Sequence, residues 1–190
     1  MKRESFLFCW SNFGDFIKQV EKKPAPCNDQ NDKLIFGDES TTMENMVSRR
    51  ACEEGMPRII AMQADVFSGE QGIPSEDIDA FMAKGPVCWR AGSDGKLYAA
   101  AAAWKENDEI HWGRFGAFPA ARGLYIGTRL ARSSFAEMLH EGIDKIYMDA
   151  RDAAVKIVCG MGGRIVGGPY ESYEGNVTPV VLTKDDLTKM

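Results

Sequence analysis

Residues 121–131, ARGLYIGTRLA, set an arginine and a glycine ahead of three apolar positions and then run from a second glycine into a helical pattern. A strand ending near Phe118, a loop carrying Arg122 and Gly123, and a helix starting near Gly127 would bring successive backbone N–H groups together at the positive end of that helix. Such a terminus suits a diphosphate. Glycine at 123 and 127 lets the backbone approach phosphate oxygens with no Cβ in the way, and Arg122 adds a donor or holds the loop. Strand-glycine-helix turns also serve packing alone, and the local pattern leaves both uses open. A P-loop would need Gly-Lys-Ser/Thr, and a dinucleotide-binding unit would need GxGxxG close after its first strand with an acidic residue about 20 positions on. The chain has neither.

Other side chains with chemical reach are sparse. His111 alternates with Trp112 on a strand-like run, where a single histidine serves either as a hydrogen-bonded structural residue or as a base. His140, at a helix end, reads as a favourable dipole contact. Glu70 stands in Glu70-Gln71-Gly72-Ile73-Pro74, where a carboxylate can tie down the turn or act on a proton; flanking Gly69 and Gly72 would let it lean into a cleft. Two histidines and cysteines at 9, 27, 52, 88 and 159 offer neither a CxxC metal site nor a disulfide framework, so no metal is expected.

The elements that must position these residues follow from composition and periodicity. At 190 residues and 44% hydrophobic content the chain can bury a substantial core. Its 23 basic and 28 acidic side chains give a net charge of -5, which provides no overall basic footprint for nucleic acid. No apolar run approaches the roughly 20 residues of a membrane span, and the scattered cysteines suit a reducing, cytoplasmic interior.

A boundary falls near residue 45. Ahead of it, Phe6, Trp10, Phe13, Ile17 and Val20 recur at helical spacing, giving an amphipathic helix that docks on its own domain or makes a homodimer contact; mixed acids and lysines argue against a membrane surface. A Pro-interrupted polar connector and a short strand at "KLIFGD" follow. From 46 the chain alternates strands and helices. Strands are expected at 46–51, in VCWRAG, in KLYAAAAAW, at 109–118, in KIYMDA, in RIVGG and in VTPVVL. Helices are expected over 53–67, from Gly127 to His140 and from a cap at Asp152 to Cys159, with 69–79 reading as a turn. The divisions are an extension at 1–45, a domain at 46–184 and a tail at 185–190.

Taken together, the arrangement over residues 46–184 resembles the GNAT superfamily of acyl-CoA-dependent N-acyltransferases. Arg122-Gly123-Leu124-Tyr125-Ile126-Gly127 occupies the family's Arg/Gln-x-x-Gly-x-Gly/Ala loop, with Tyr125 where the middle glycine usually stands. Val66-Phe67 followed by Glu70-Gln71-Gly72 and Pro74 matches a bacterial branch marked by VF-x-x-EQG-x-P, and GRFGAFPAARG looks like that branch's coenzyme strand. The resemblance implies an α/β fold: a mixed central sheet flanked by helices, with two splayed strands holding the coenzyme.

It further implies transfer of an acetyl group from acetyl-CoA, as co-substrate, to an amine on a small molecule or peptide by direct attack in a ternary complex. Phe115 and Ala117 would offer a main-chain edge to the pantetheine arm, and residues Arg122 to Gly127 with Thr128 would hold the diphosphate. Gln71 and Arg114 would face the acceptor, and Glu70 or His111 would take its proton. One departure bears on catalysis. Relatives carry a tyrosine as acid to the departing thiolate and then Gly-Phe, whereas this chain has Val158 and Gly163 at the tyrosine and phenylalanine places. Tyr170 or Tyr173 is the candidate substitute. A thiolate of pKa about 8 to 9 also leaves with little help. The alternative is an impaired acyl-CoA-binding module acting through protein partners.

Overall fold

The computed structural model describes residues 33–34, 46–93 and 95–187. The amphipathic stripe expected at 6–20 and most of the connector after it lie outside the described residues. The strands are β1 (Lys33–Leu34), β2 (Val47–Arg50), β3 (Val87–Ser93), β4 (Lys96–Glu106), β5 (Glu109–Ala117), β6 (Lys145–Ala150), β7 (Arg164–Ile165), β8 (Tyr170–Glu171) and β9 (Asn176–Thr183). They form one sheet in the order β2-β3-β4-β5-β6-β9-β7, with β1 added to β4 and β8 to β9. Neighbours along that path are antiparallel except β5 and β6.

The middle of the sheet is built on the alanine run of β4. Ala99, Ala101 and Ala103 face one core with Trp89, Trp112, Leu130, Phe135 and Ile146. Ala100 and Ala102 face a second core with Ile59, Met62, Phe67, Ile78 and Phe81. The two-residue alternation of a strand sends successive side chains to opposite faces, and alanine on both lets helices approach closely. Helix α3 (Ile126–His140) covers the first face, burying Leu130, Ala131, Ser134, Phe135 and Met138. There Trp112 donates its Nε1–H to Ser134 Oγ at 3.0 Å, so the buried indole is satisfied.

The second face is covered by α1 (Met56–Gln63) and α2 (Ser75–Met82). The helix expected over 53–67 goes further than its apolar spacing indicates. It passes from α1 through a π-helical segment (Ala64–Ser68) into a last turn (Gly69–Gln71), and Gly72 at φ 63° ends it in the left-handed conformation. The expected turn at 69–79 is therefore corrected. Glu70 sits on a helix end, and α2 starts directly after Pro74, burying Ile78 and Phe81 at helical spacing. Two further expectations change. Asp152 lies inside helix α4 (Asp152–Cys159) and makes no cap, the cap position being Arg151. Cys52 is disulfide-bonded, whereas Cys88 and Cys159 are free. The final helical turn, Lys184–Leu187, is tied to β9 by Thr183, whose Oγ1 donates to Asp186 Oδ2 at 2.6 Å.

Candidate functional site

Two irregularities in β5 open the site. The strand starts after a tight turn in which Asn107 and Asp108 both have positive φ, the geometry that matches strand twist in a hairpin. It pairs with β6 only where His111 stands opposite Tyr147, and beyond that point the two parallel strands separate. Ala100 faces Gly116 and Ala102 faces Gly113, so Arg114 and Phe115 together oppose Ala101 in a β-bulge, with Arg114 at φ 44°. The bulge sends the two side chains to opposite faces. The Arg114 guanidinium lies over Phe81 at 4.9 Å and Phe67 at 5.8 Å on the α1–α2 side. Phe115 lies against Trp112, and its ring is what a Cβ added at Gly127 would strike at 2.7 Å. Phe115 has no register partner on β4 or β6, leaving its main chain open.

The separated strands lead to the loop quoted at the outset. After a single 3-10 turn (Pro119–Ala121), Gly123 takes φ 78° and Tyr125 takes φ 59°. Tyr125 thus adopts the conformation a glycine would, and the residue is 75% exposed. It is also the cap residue of α3 and makes no side-chain cap, so the first-turn N–H groups of a 15-residue helix lack a partner from the cap. Those donors, with the open edge of β5, fit a diphosphate carrying an extended arm.

A cleft of about 830 Å³ joins these features, which is the size of a cofactor or drug-sized ligand site. Of the residues singled out in the sequence, Glu70, Gln71, His111, Arg114, Phe115, Ala117, Arg122, Gly123, Tyr125, Gly127, Thr128 and Tyr170 line it. Leu124 and Ile126 do not: the first is 38% exposed, and the second is fully buried in the core. For Ile126 only the main chain is available to a ligand in the loop. Trp104 lines the cleft, and so does Tyr173. Asp149, Arg151 and Ser172 were not legible as lining residues, because they come from the ends of β6 and the β8–β9 turn, which only the fold brings in.

The polar groups are already partly committed to one another. Arg122 Nη2 donates to both carboxylate oxygens of Glu70, at 2.7 and 2.6 Å, and its Nε donates to the Ala117 carbonyl at 3.1 Å. This clamp ties the helix-start loop to the end of the α1 segment. His111 stacks on Trp104 at 5.7 Å and tilts on Tyr147 at 5.8 Å, at the point where the strands part. Tyr173 donates its hydroxyl to Asp77 Oδ2 at 2.9 Å, which raises the phenol's pKa. Tyr170 is pushed up from 10.0 by burial and by its hydrogen bond to Asp149. Val158 is fully buried in the core and does not line the cleft. Among the described residues no group of His, Cys, Asp and Glu is placed to hold a metal ion, and no helix is long and apolar enough to cross a membrane.

The sequence pattern of the Acetyltransferase (GNAT) family matches residues 56–160. No curated protein matches the chain. Among solved structures, Escherichia coli ElaA is 20% identical, with a TM-score of 0.61 over 72% of this chain and 97% of its own. An acyl-CoA N-acyltransferase from Pseudomonas aeruginosa is 19% identical, with a TM-score of 0.61 over 72% of this chain and 98% of its own. The mixed sheet flanked by helices is the fold these proteins share.

Proposed function

The chain belongs to the Acetyltransferase (GNAT) family, and from that premise we propose that it moves an acetyl group from acetyl-CoA to an amine by direct attack within a ternary complex. The observation that carries this reading is the single cleft in which the parted strands β5 and β6 run into the uncapped start of α3. The diphosphate would lie on the main chain of Gly123 to Thr128, and the pantetheine arm would lie along Phe115. A neutral amine attacks the thioester carbonyl; a C–N bond forms and the C–S bond breaks. The amine's proton goes to His111, directly or through one water, and the departing thiolate takes a proton from Tyr170. Holding both reactants in one cleft makes the step effectively unimolecular. The test is thiol release from acetyl-CoA over a panel of amines. Amine-dependent release is expected; coenzyme A binding with no release above the blank for any amine would overturn the transferase reading.

Glu70 was a candidate base in the sequence, but a carboxylate held by both oxygens on Arg122 suits a clamp better. We expect Glu70→Gln to raise KM for acetyl-CoA several-fold while changing kcat little. Both partners are more than a third exposed, with side-chain exposures of 47% and 39%, so a double-mutant cycle with Arg122→Gln should give a coupling of only about 0.5–1 kcal/mol. A fall in kcat of roughly 10²-fold or more at unchanged KM would instead return Glu70 to the role of base.

A further inference from the structure

Three guanidinium groups line the cleft, and two are engaged. Arg122 is held by Glu70 and Ala117 as described. Arg151 donates to the carbonyls of Ser172 at 2.9 Å and Asn176 at 3.4 Å. Arg114 differs: its Nη1 is buried and has no hydrogen-bond partner among the described residues. A buried donor left unmatched is costly, and a charged one more so, unless a ligand supplies the acceptor. The backbone adds a second observation. Arg114 holds φ 44°, a conformation that side chains other than glycine seldom adopt, and the bulge that imposes it sends the guanidinium away from Phe115 and the coenzyme edge. Strain of this kind persists where the surrounding structure fixes a side chain for use, and here two aromatic rings fix it.

We infer that Arg114 anchors a carboxylate on the acceptor, so that the amine substrate is an amino acid or another amine bearing a carboxylate. This deepens the transferase reading and rests on it. A carboxylate suits the site better than a phosphate. The guanidinium is a single positive charge, Asp77 lies close enough to act on it, and Asp77 is itself held by Tyr173. A monoanion balances Arg114, whereas a dianion would also face Asp77, and the other two guanidinium groups lining the cleft are already engaged. A guanidinium and a carboxylate also match in planar geometry, and the low local dielectric strengthens their contact.

The experiment compares matched acceptors in the thiol-release assay: glycine, β-alanine, γ-aminobutyrate and the common L-amino acids, each beside its carboxamide. The expected result is a preference of roughly tenfold or more in kcat/KM for carboxylates, because a site built to pair an anion rejects the analogue lacking it. Arg114→Gly, whose residue accepts the backbone conformation, should bring the carboxylate-to-carboxamide ratio near one, and Arg114→Lys should retain part of it. Equal use of both series by the unmodified protein, use of neither, or a preference that survives in Arg114→Gly would overturn the inference. Should Arg114→Gly fail to fold, the comparison on the unmodified protein and Arg114→Lys still decides. Thiol release separates the two readings: no release with any amine overturns the transferase reading, whereas release without a carboxylate preference overturns only the assignment of Arg114.

Discussion

Gly127→Val should remove the stabilisation that coenzyme A gives this protein. At 100 times its dissociation constant, a ligand that binds only the folded state adds about 2.7 kcal/mol, readable as a rise in melting temperature. Gly127 is where the loss should be largest. It lies in the first turn of α3, whose N–H donors have no cap, and a Cβ there would meet the Phe115 ring at 2.7 Å. Valine adds two more carbons at that contact. Phe115 cannot simply swing away, since it packs on Trp112 at 5.1 Å between ring centroids. Two effects are therefore expected together. The free protein should lose about 1–3 kcal/mol through overpacking. The shift with coenzyme A should also vanish, because the displaced ring and the new methyls fill the approach to the donors. Melts of the variant and the parent with and without coenzyme A separate the two effects. A variant that melts lower yet keeps the full shift would place the diphosphate elsewhere. Gly123→Ala is the contrasting case: nothing lies within 4 Å of its added Cβ, so any loss there comes from the left-handed backbone at φ 78°.

That contrast also indicates how far the sequence could be read. Glycines at 123 and 127 mark the loop, yet they are needed for different reasons, one for its backbone angle and one for a ring packed over it from β5. Only the first kind of need is local. The longer strands were legible because each carries a two-residue alternation or a buried apolar run ended by turn residues, and α3 was legible from its apolar spacing, whereas the exposed two-residue β8 carries no such signal and was missed. Helix α2 was missed because Gly72 and Pro74 punctuate the segment, although Ile78 and Phe81 carry the helical spacing. Side-chain pairings were out of reach altogether. The Glu70–Arg122 clamp joins residues 52 apart and the Tyr173–Asp77 bond joins residues 96 apart, and no short-range pattern specifies either. For that reason Glu70 read as a carboxylate that ties down its own turn or takes a proton, while in the fold it is the partner of the loop arginine.

The catalytic prediction concerns Tyr170 and His111, which line the same cleft and are proposed to handle the two protons of the reaction. Tyr170, on the cleft wall, is the proposed donor to the thiolate. Burial and the hydrogen bond to Asp149 both favour the neutral phenol and raise its pKa above 10.0. The sign follows directly. A raised pKa keeps the donor protonated to higher pH, so the alkaline limb of kcat should lie above pH 10.0, falling only as pH passes through the folded value. Tyr170→Phe should lower kcat roughly 10- to 100-fold, at the lower end of what general acids contribute because a thiolate leaves readily, and that limb should disappear. Asp149→Asn offers a finer test: it removes one of the causes of the raised pKa while leaving the phenol, so the limb should move to lower pH with kcat at neutral pH nearly retained. His111→Gln keeps the size and a hydrogen-bonding edge but cannot take the amine's proton, so kcat should fall roughly 10²-fold or more. The pH–rate profiles of the three variants decide the roles. A Tyr170→Phe enzyme with the parent's kcat and alkaline limb means the thiolate departs unaided. A His111→Gln enzyme with the parent's kcat means the amine arrives already neutral, and the imidazole then serves only in its stack with Trp104 and Tyr147.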